Sequence, residues 1–391
     1  MSSPRTIAAR LMSEFAKRTG LFPAAREERR YLWTDAFAVC NFLTLSERGG
    51  DPEYRRRAIE LIDRVHRVLG RYRDDDPRSG WISGADEGAG QDHPTSGGLR
   101  IGKPLRERTA TEAFDERLEW DRDGQYFHYL TKWTHALCQT AFATGEPTYA
   151  RFAAELAQAG FEKSLRRTAS GEIVGIFWKM STDLSRPLVS ASGPHDALDG
   201  FITFREAQYA HRQLPDHAGA IDLGRAIDTL SALCRNRDWT TDDPLGLGGL
   251  LFDACRLCRL PDDGSTDDAR LLEEIASACC RGLRAWLASG GLNQPVAYRL
   301  AFRELGLAIG LGGVPIVEQA LKSGVKGFET RAGLTRAVDM LLSYQPLGQA
   351  IIDDWIPETR QHGQGWRAHQ DINDVMLATS LLPDRFLTIG G

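Results

Sequence analysis

No uncharged apolar stretch of this 391-residue chain reads as long enough to span a membrane. Leu305 to Val317 comes nearest, and it is too short and too rich in glycine. Met1 to Gly20 carries charge throughout and lacks a continuous apolar core, so no secretory leader is expected. There is no excess of basic charge either. The 48 Lys and Arg against 53 Asp and Glu leave a net charge of −5, which gives no footprint for nucleic acid. The Arg55 to Arg57 run reads as the wet face of a helix. Seven cysteines cannot all pair with one another, and most fall among apolar neighbours in predicted helices. Cys255-Arg256-Leu257-Cys258 has C-x-x-C spacing but lies mid-helix with no second pair, so neither zinc nor redox chemistry is expected of it. The absence of a disulfide framework points to a reducing cytoplasm. H-E-x-x-H, P-loop and G-x-S-x-G patterns are missing, and Gly306 to Gly313 lacks Rossmann spacing. Neither a metal nor a cofactor is therefore expected. No Ser/Pro-rich linker interrupts the chain, so residues 1–391 read as one domain.

What is present is a repeat. Gly50-Asp51-Pro52-Glu53-Tyr54 through Leu61 recurs as Gly145-Glu146-Pro147-Thr148-Tyr149 through Leu156, both of the form G-[DE]-P-x-Y-x-R-x-A-x-E-L. Glycine can end a helix in a left-handed conformation, an acid can cap the next one, and proline suits its first position. Each copy is thus a tight turn between two helices. Recurrence of such hairpins is the mark of a helical array.

Apolar periodicity supports this. Tyr54, Ala58, Leu61, Ile62, Val65, Val68, Leu69 and Tyr72 form one stripe, with Arg55, Arg56, Glu60, Arg64, Arg67 and Arg71 opposite. Tyr149, Phe152, Leu156 and Ala159 oppose Arg151, Glu155, Gln158 and Glu162 in the same way. The helices before these turns are apolar all round and belong inside. The spacing predicts inner helices near 35–48, 127–145, 200–214, 244–260, 296–311 and 370–382. Outer helices are predicted near 51–72, 147–166, 216–236, 267–288 and 314–323, with 5–19 as a further partner. In 324–369 only 334–343 reads as helical. Inner-to-outer links are short, whereas the outer-to-inner links 73–126, 167–199 and 324–369 are long. An all-α (α/α)6 toroid of alternating inner and outer helices follows, with its long loops on one rim, where a binding site belongs.

On these features the chain resembles the six-hairpin, or (α/α)6-barrel, superfamily of glycosidases and sugar epimerases. Leu32-Trp33-Thr34-Asp35-Ala36-Phe37 is similar to the W-T-D-G-F stretch of unsaturated glucuronyl hydrolases, with Ala36 in place of the glycine. The other motifs of that family are not matched, so its substrate is not carried over. The resemblance implies a sugar-active enzyme.

The residues of the long-loop rim fit that expectation independently. Trp33, Trp81, Trp120, Trp178, Trp239, Trp355 and Trp366 fall in or beside the long segments, and flat aromatic faces suit the C–H faces of sugar rings. Glycoside hydrolysis needs two carboxylates, one protonated as acid and one ionised. Asp35, and Asp196 or Asp199 in the run Gly193-Pro194-His195-Asp196-Ala197-Leu198-Asp199, are the candidates. Either aspartate of that run could instead cap a helix. His128, Lys132 and His135 share one helical face, and His195 and His369 join them on the rim. These residues, with Trp33, Trp178 and Trp366, are the expected contacts to a mono- or oligosaccharide. Paired histidines would alternatively move a proton beside a carbonyl, as an epimerase or isomerase requires. A sugar-binding toroid without catalysis is the third reading.

Overall fold

A computed structural model describes residues 3–25, 28–215, 219–261, 267–324, 328 and 331–390. The chain is 64% helical, and its strands are short, so the all-α expectation holds. The residues gather into two compact units. The N-terminal unit comprises Ala16–Ser46 and Gly50–Arg235. The C-terminal unit comprises Asn236–Ile389, with Glu47–Gly49 and the segment ending at Phe15.

After α1 (Pro4–Arg18), the chain forms α2 (Leu32–Gly49), α3 (Pro52–Leu69), α4 (Glu87–Asp92) and α5 (Glu116–Glu119). Strand β1 (Gln125–Tyr126) leads into α6 (Phe127–Thr144) and α7 (Pro147–Ser164). Then come β2 (Leu165–Arg167), β3 (Ile173–Ile176), β4 (Lys179–Met180), α8 (Asp196–Gln213) and α9 (Gly224–Cys234). Both repeat turns are built as their residues dictate. Gly50 and Gly145 close α2 and α6 with φ of 66° and 74°, and Pro52 and Pro147 open α3 and α7. Asp51 caps α3 by accepting from the Glu53 N–H at 2.9 Å. Glu146 makes no such bond: its side chain is one methylene longer than the cap favours.

Helix α2 is buried from Leu32 to Leu45, whereas α3 turns Ala58, Leu61, Ile62, Val65 and Leu69 inward. Helix α6 packs between α7 and α8. Two of the arginines read as solvated are buried instead. Arg64 donates to Glu28 at 2.7 Å and to the Gly20 carbonyl, and Arg151 donates to Glu155 and the Asp92 carbonyl. Segments distant in sequence cover both, which a helical wheel does not register.

The C-terminal unit contains α10 (Pro244–Arg259), α11 (Asp267–Ala288), α12 (Ala301–Lys322), α13 (Ala332–Ser343) and α14 (Gln345–Trp355). The short α15 (Glu358–Gln361) and α16 (Gln364–Arg367) precede α17 (Gln370–Leu381) and α18 (Asp384–Leu387). Here the structure departs from the sequence reading. The segments expected as an inner helix and a separate outer helix, 296–311 and 314–323, form the single helix α12, which runs through Pro315. Glycines there serve close packing: a Cβ on Gly248 of α10 would lie 2.1 Å from the Gly306 carbonyl oxygen. Helix α12 is long and apolar enough to cross a membrane by composition, and 67% of that window is buried within the protein. Residues 345–355, read as loop, are helical. Helix α9 is shorter than the 216–236 expected, and positions 216–218 lie outside the described residues.

The long segments of the N-terminal unit are not irregular throughout. Strands β1 and β4 pair antiparallel, Tyr126 opposite Lys179, and β2 pairs with β3. Gln125 takes the Leu99 N–H on its amide oxygen and donates to the Gly97 and Thr182 carbonyls. The two long loops are thereby stitched to the start of α6.

Candidate functional site

The first turns of α6 and α8 face each other in the N-terminal unit. His128 and Lys132 stand one turn apart on α6, as do Asp196 and Asp199 on α8. His128 Nδ1 lies 4.0 Å from Asp196 Oδ1, and Lys132 Nζ lies 2.7 Å from Asp199 Oδ1. The four side chains form two rungs between the helices.

The rungs differ in chemistry. Asp199 accepts from Lys132 and from the hydroxyls of Thr131 and Thr203, so a buried carboxylate is held by a cation and neutral donors. Asp196 is also buried, and its Oδ2 accepts no hydrogen bond. Burial pushes its carboxyl up to about 7, with the neighbouring Asp199 charge adding to the effect and the Gly193 N–H and Lys132 opposing it. The carboxyl folds back over Gly193, where a Cβ would lie 2.3 Å from Oδ2. A side chain there would displace the carboxyl. His128 is pushed down to about 4 by burial and then by the Lys132 charge, against a pull from Asp199. Its side chain keeps 36% of its surface accessible, yet is crowded by protein enough to disfavour a charge. Near neutral pH the site thus presents a neutral imidazole beside a carboxyl poised to release a proton.

Aromatic rings surround this pair. Tyr126 stacks on His128 with centroids 5.6 Å apart, and Tyr129 meets His128 edge-on at 4.7 Å. The hydroxyls of Tyr129 and Tyr31 are 2.6 Å apart, and Lys103 Nζ lies 5.4 Å from the Tyr31 ring centre. Trp33 is 6.3 Å from Tyr129, and Trp178 is 5.0 Å from Tyr126. The sequence reading missed Tyr31, Tyr126 and Tyr129. Counting aromatics around His128, in Tyr126-Phe127-His128-Tyr129, would have found two of them; weighing tryptophan alone did not.

The remaining candidates fall elsewhere. Asp35 is 1% exposed; its Oδ1 lies 3.5 Å from Arg30 and its Oδ2 accepts the Tyr31 N–H at 3.1 Å. It braces the turn that carries Tyr31 and Trp33. His135, also 1% exposed, lies deeper along α6, with Nδ1 2.9 Å from the Glu206 carboxylate of α8. His195 is the residue before α8, half-buried, and its side chain makes no cap bond to the helix. Trp366 and His369 belong to the C-terminal unit. Trp366 is buried and donates to Asp374 Oδ1 at 3.0 Å, while His369 is exposed at the start of α17, 5.5 Å from the Phe302 ring. Among the described residues, no group of three or more His, Cys, Asp or Glu side chains is arranged to hold a metal ion.

No protein-family model matches this chain, and no curated protein matches it. Among solved structures, it is similar to a sugar epimerase from a ruminal bacterium. The two share 10% sequence identity with a TM-score of 0.47, over 95% of this chain and 98% of the other.

Proposed function

We propose that this protein is a carbohydrate-active enzyme, a glycoside hydrolase in which Asp196 is the general acid. The observation that carries the reading is the split between Asp196 and Asp199. One carboxyl is pushed up to about 7, and its neighbour is paired with Lys132 at 2.7 Å. A carboxyl kept protonated by burial beside one paired with a cation is the arrangement that acid and base roles require. Asp196 donates its proton to the glycosidic oxygen as the bond from that oxygen to the anomeric carbon breaks. Water adds to the anomeric carbon and gives its proton to Asp199. Tyr129 and Trp178, both half-buried, supply flat faces for the sugar ring, with the buried Trp33 and Tyr126 packed against them. Asp35, engaged by Arg30 and closed to solvent, supports the Tyr31 turn in this reading.

A second reading rests on His128. A neutral imidazole 4.0 Å from a protonatable carboxyl could pass a proton to and from a carbon beside a carbonyl, as a sugar epimerase does. The two readings part in one experiment. The protein is incubated in deuterated buffer with a panel of mono- and oligosaccharides, neutral and uronic. Release of reducing ends without carbon-bound deuterium, abolished in Asp196→Asn, supports the hydrolase. Deuterium at a sugar carbon, lost in His128→Ala, supports the epimerase. An Asp196→Asn protein that hydrolyses as well as the parent ends the hydrolase assignment.

A further inference from the structure

We propose that Trp120 and Trp178 form a distal sugar-binding subsite, so that the substrate is an oligosaccharide chain and not a free monosaccharide. This rests on the carbohydrate reading of the Asp196 site. Trp120 is 54% exposed, an unusual position for so large an apolar surface. It stands 5.5 Å from Trp178, which stands 5.0 Å from Tyr126, which stacks on His128 at 5.6 Å. A line of ring contacts therefore runs from the rung that holds Asp196, through the buried Tyr126 and the half-buried Trp178, out to Trp120 in solvent.

The segment that carries the outermost ring is also tied down. Trp120 directly follows α5, between Glu119 and Asp121. The Lys179 ammonium, closed to solvent, donates to the backbone carbonyls of Glu119 and Arg122 at 2.5 and 2.9 Å and pairs with the Glu119 carboxylate at 2.8 Å. Asp115 caps α5 at the Leu118 N–H, and the Asp121 carbonyl accepts from Leu105. Lys179 follows Trp178 in the chain, so one buried cation fixes the two tryptophan-bearing segments to each other. A wall ordered before the ligand arrives loses little entropy on binding. Leu118 and Phe114, within six residues of Trp120 in the chain, are exposed as well, at 44% and 55%.

The test compares chain lengths. Wild-type protein, Trp120→Ala and Trp120→Phe are titrated calorimetrically with α-1,4- and β-1,4-linked gluco- and galacturono-oligosaccharides, from monosaccharide to pentasaccharide, and assayed on the same series. The proposal expects affinity and kcat/KM to rise with chain length in the wild type. Trp120→Ala should lower the pentasaccharide-to-disaccharide ratio about tenfold, and Trp120→Phe should restore most of it. Binding is repeated in the Asp196→Asn background, so the subsite is read whether or not that variant is inactive. An active Asp196→Asn protein with a length-dependent Trp120 effect overturns the catalytic assignment and leaves the subsite standing. A Trp120 effect equal at every length, or no binding of any member of the series, overturns the subsite.

Discussion

Asp196 and Asp199 stand one turn apart at the start of α8, yet Lys132 Nζ lies 2.7 Å from Asp199 while the Asp196 carboxyl rests on the Cα of Gly193. One has a cation as neighbour; the other has the backbone of Gly193 and the His128 imidazole at 4.0 Å. The charge of Asp199 then works on Asp196 from three residues away. Burial supplies the larger part of the shift and Asp199 the next. A site made this way holds an acid near neutrality.

The Asp196 carboxyl makes stability fall as pH rises. Its folded-state value, about 7, lies above the ordinary 3.8 that the unfolded chain would show. The folded protein therefore holds a proton that the unfolded one releases between these values. The contribution is complete below about pH 4 and is lost as pH passes through 7. Asp196→Asn should be more stable than the parent at pH 8, by up to about 4 kcal/mol, with the gain vanishing at pH 4. Urea unfolding at both pH values reads this directly; a gain that does not change with pH contradicts it.

Activity should track the same proton. As general acid, Asp196 is competent only while protonated, so kcat/KM should fall above about pH 7. Asp196→Asn should lose on the order of a hundredfold or more and show no limb at that pH. A wild-type profile flat from pH 6 to about 9 would remove Asp196 from the acid role.

Lys132 tunes both rungs. Its charge lowers Asp196 and also lowers His128, so Lys132→Met should move the alkaline limb upward and let His128 protonate at higher pH. It also strips a buried carboxylate of its cation, at a cost of about 3 kcal/mol. The pH–rate profile and the imidazole resonance of His128 by NMR separate the two effects. An unmoved limb in a folded variant argues against the coupling.

Gly193→Ala should disable the site with little change in the fold. The new Cβ would meet all three terminal atoms of Asp196 at 2.3 to 2.5 Å, so the carboxyl must leave its position. Activity is expected to drop toward that of Asp196→Asn, and the alkaline limb should move because the burial that sets it is changed. Retained activity with an unaltered limb would show that the carboxyl does not need this seat.

His66 sets a separate acid limit. It is buried, accepts the Trp133 indole N–H on Nε2 at 3.1 Å, and burial pushes it down to about 3. The unfolded chain takes up a proton below about 6.5 that the folded one refuses. Stability should therefore fall as pH drops through that window, by up to about 1.4 kcal/mol per unit. His66→Gln keeps an acceptor but cannot titrate, so its unfolding curve should depend less steeply on pH between 6 and 4 than the parent's. Equal slopes would assign the acid sensitivity to other groups.

Much of the fold was legible because its signals are local. The Gly-acid-Pro turns, the one-sided stripe of α3 and the all-round apolar stretch of α2 each follow from a few neighbouring residues, and each appears where the spacing puts it. Local signals misled where two helices meet. Gly306 and the glycines near Pro315 look like a break, and only the approach of α10 explains why α12 continues. The site divides in the same way. The shared face of His128, Lys132 and His135 is a property of helical periodicity, as is the one-turn spacing of Asp196 and Asp199. Which of them meets which was decided by the packing of α6 against α8. That packing carries Lys132 to Asp199, leaves Asp196 over Gly193, and closes His135 against Glu206. Desolvation and charge proximity are properties of space, so the sequence could name the carboxylates but only the tertiary structure could make one of them an acid.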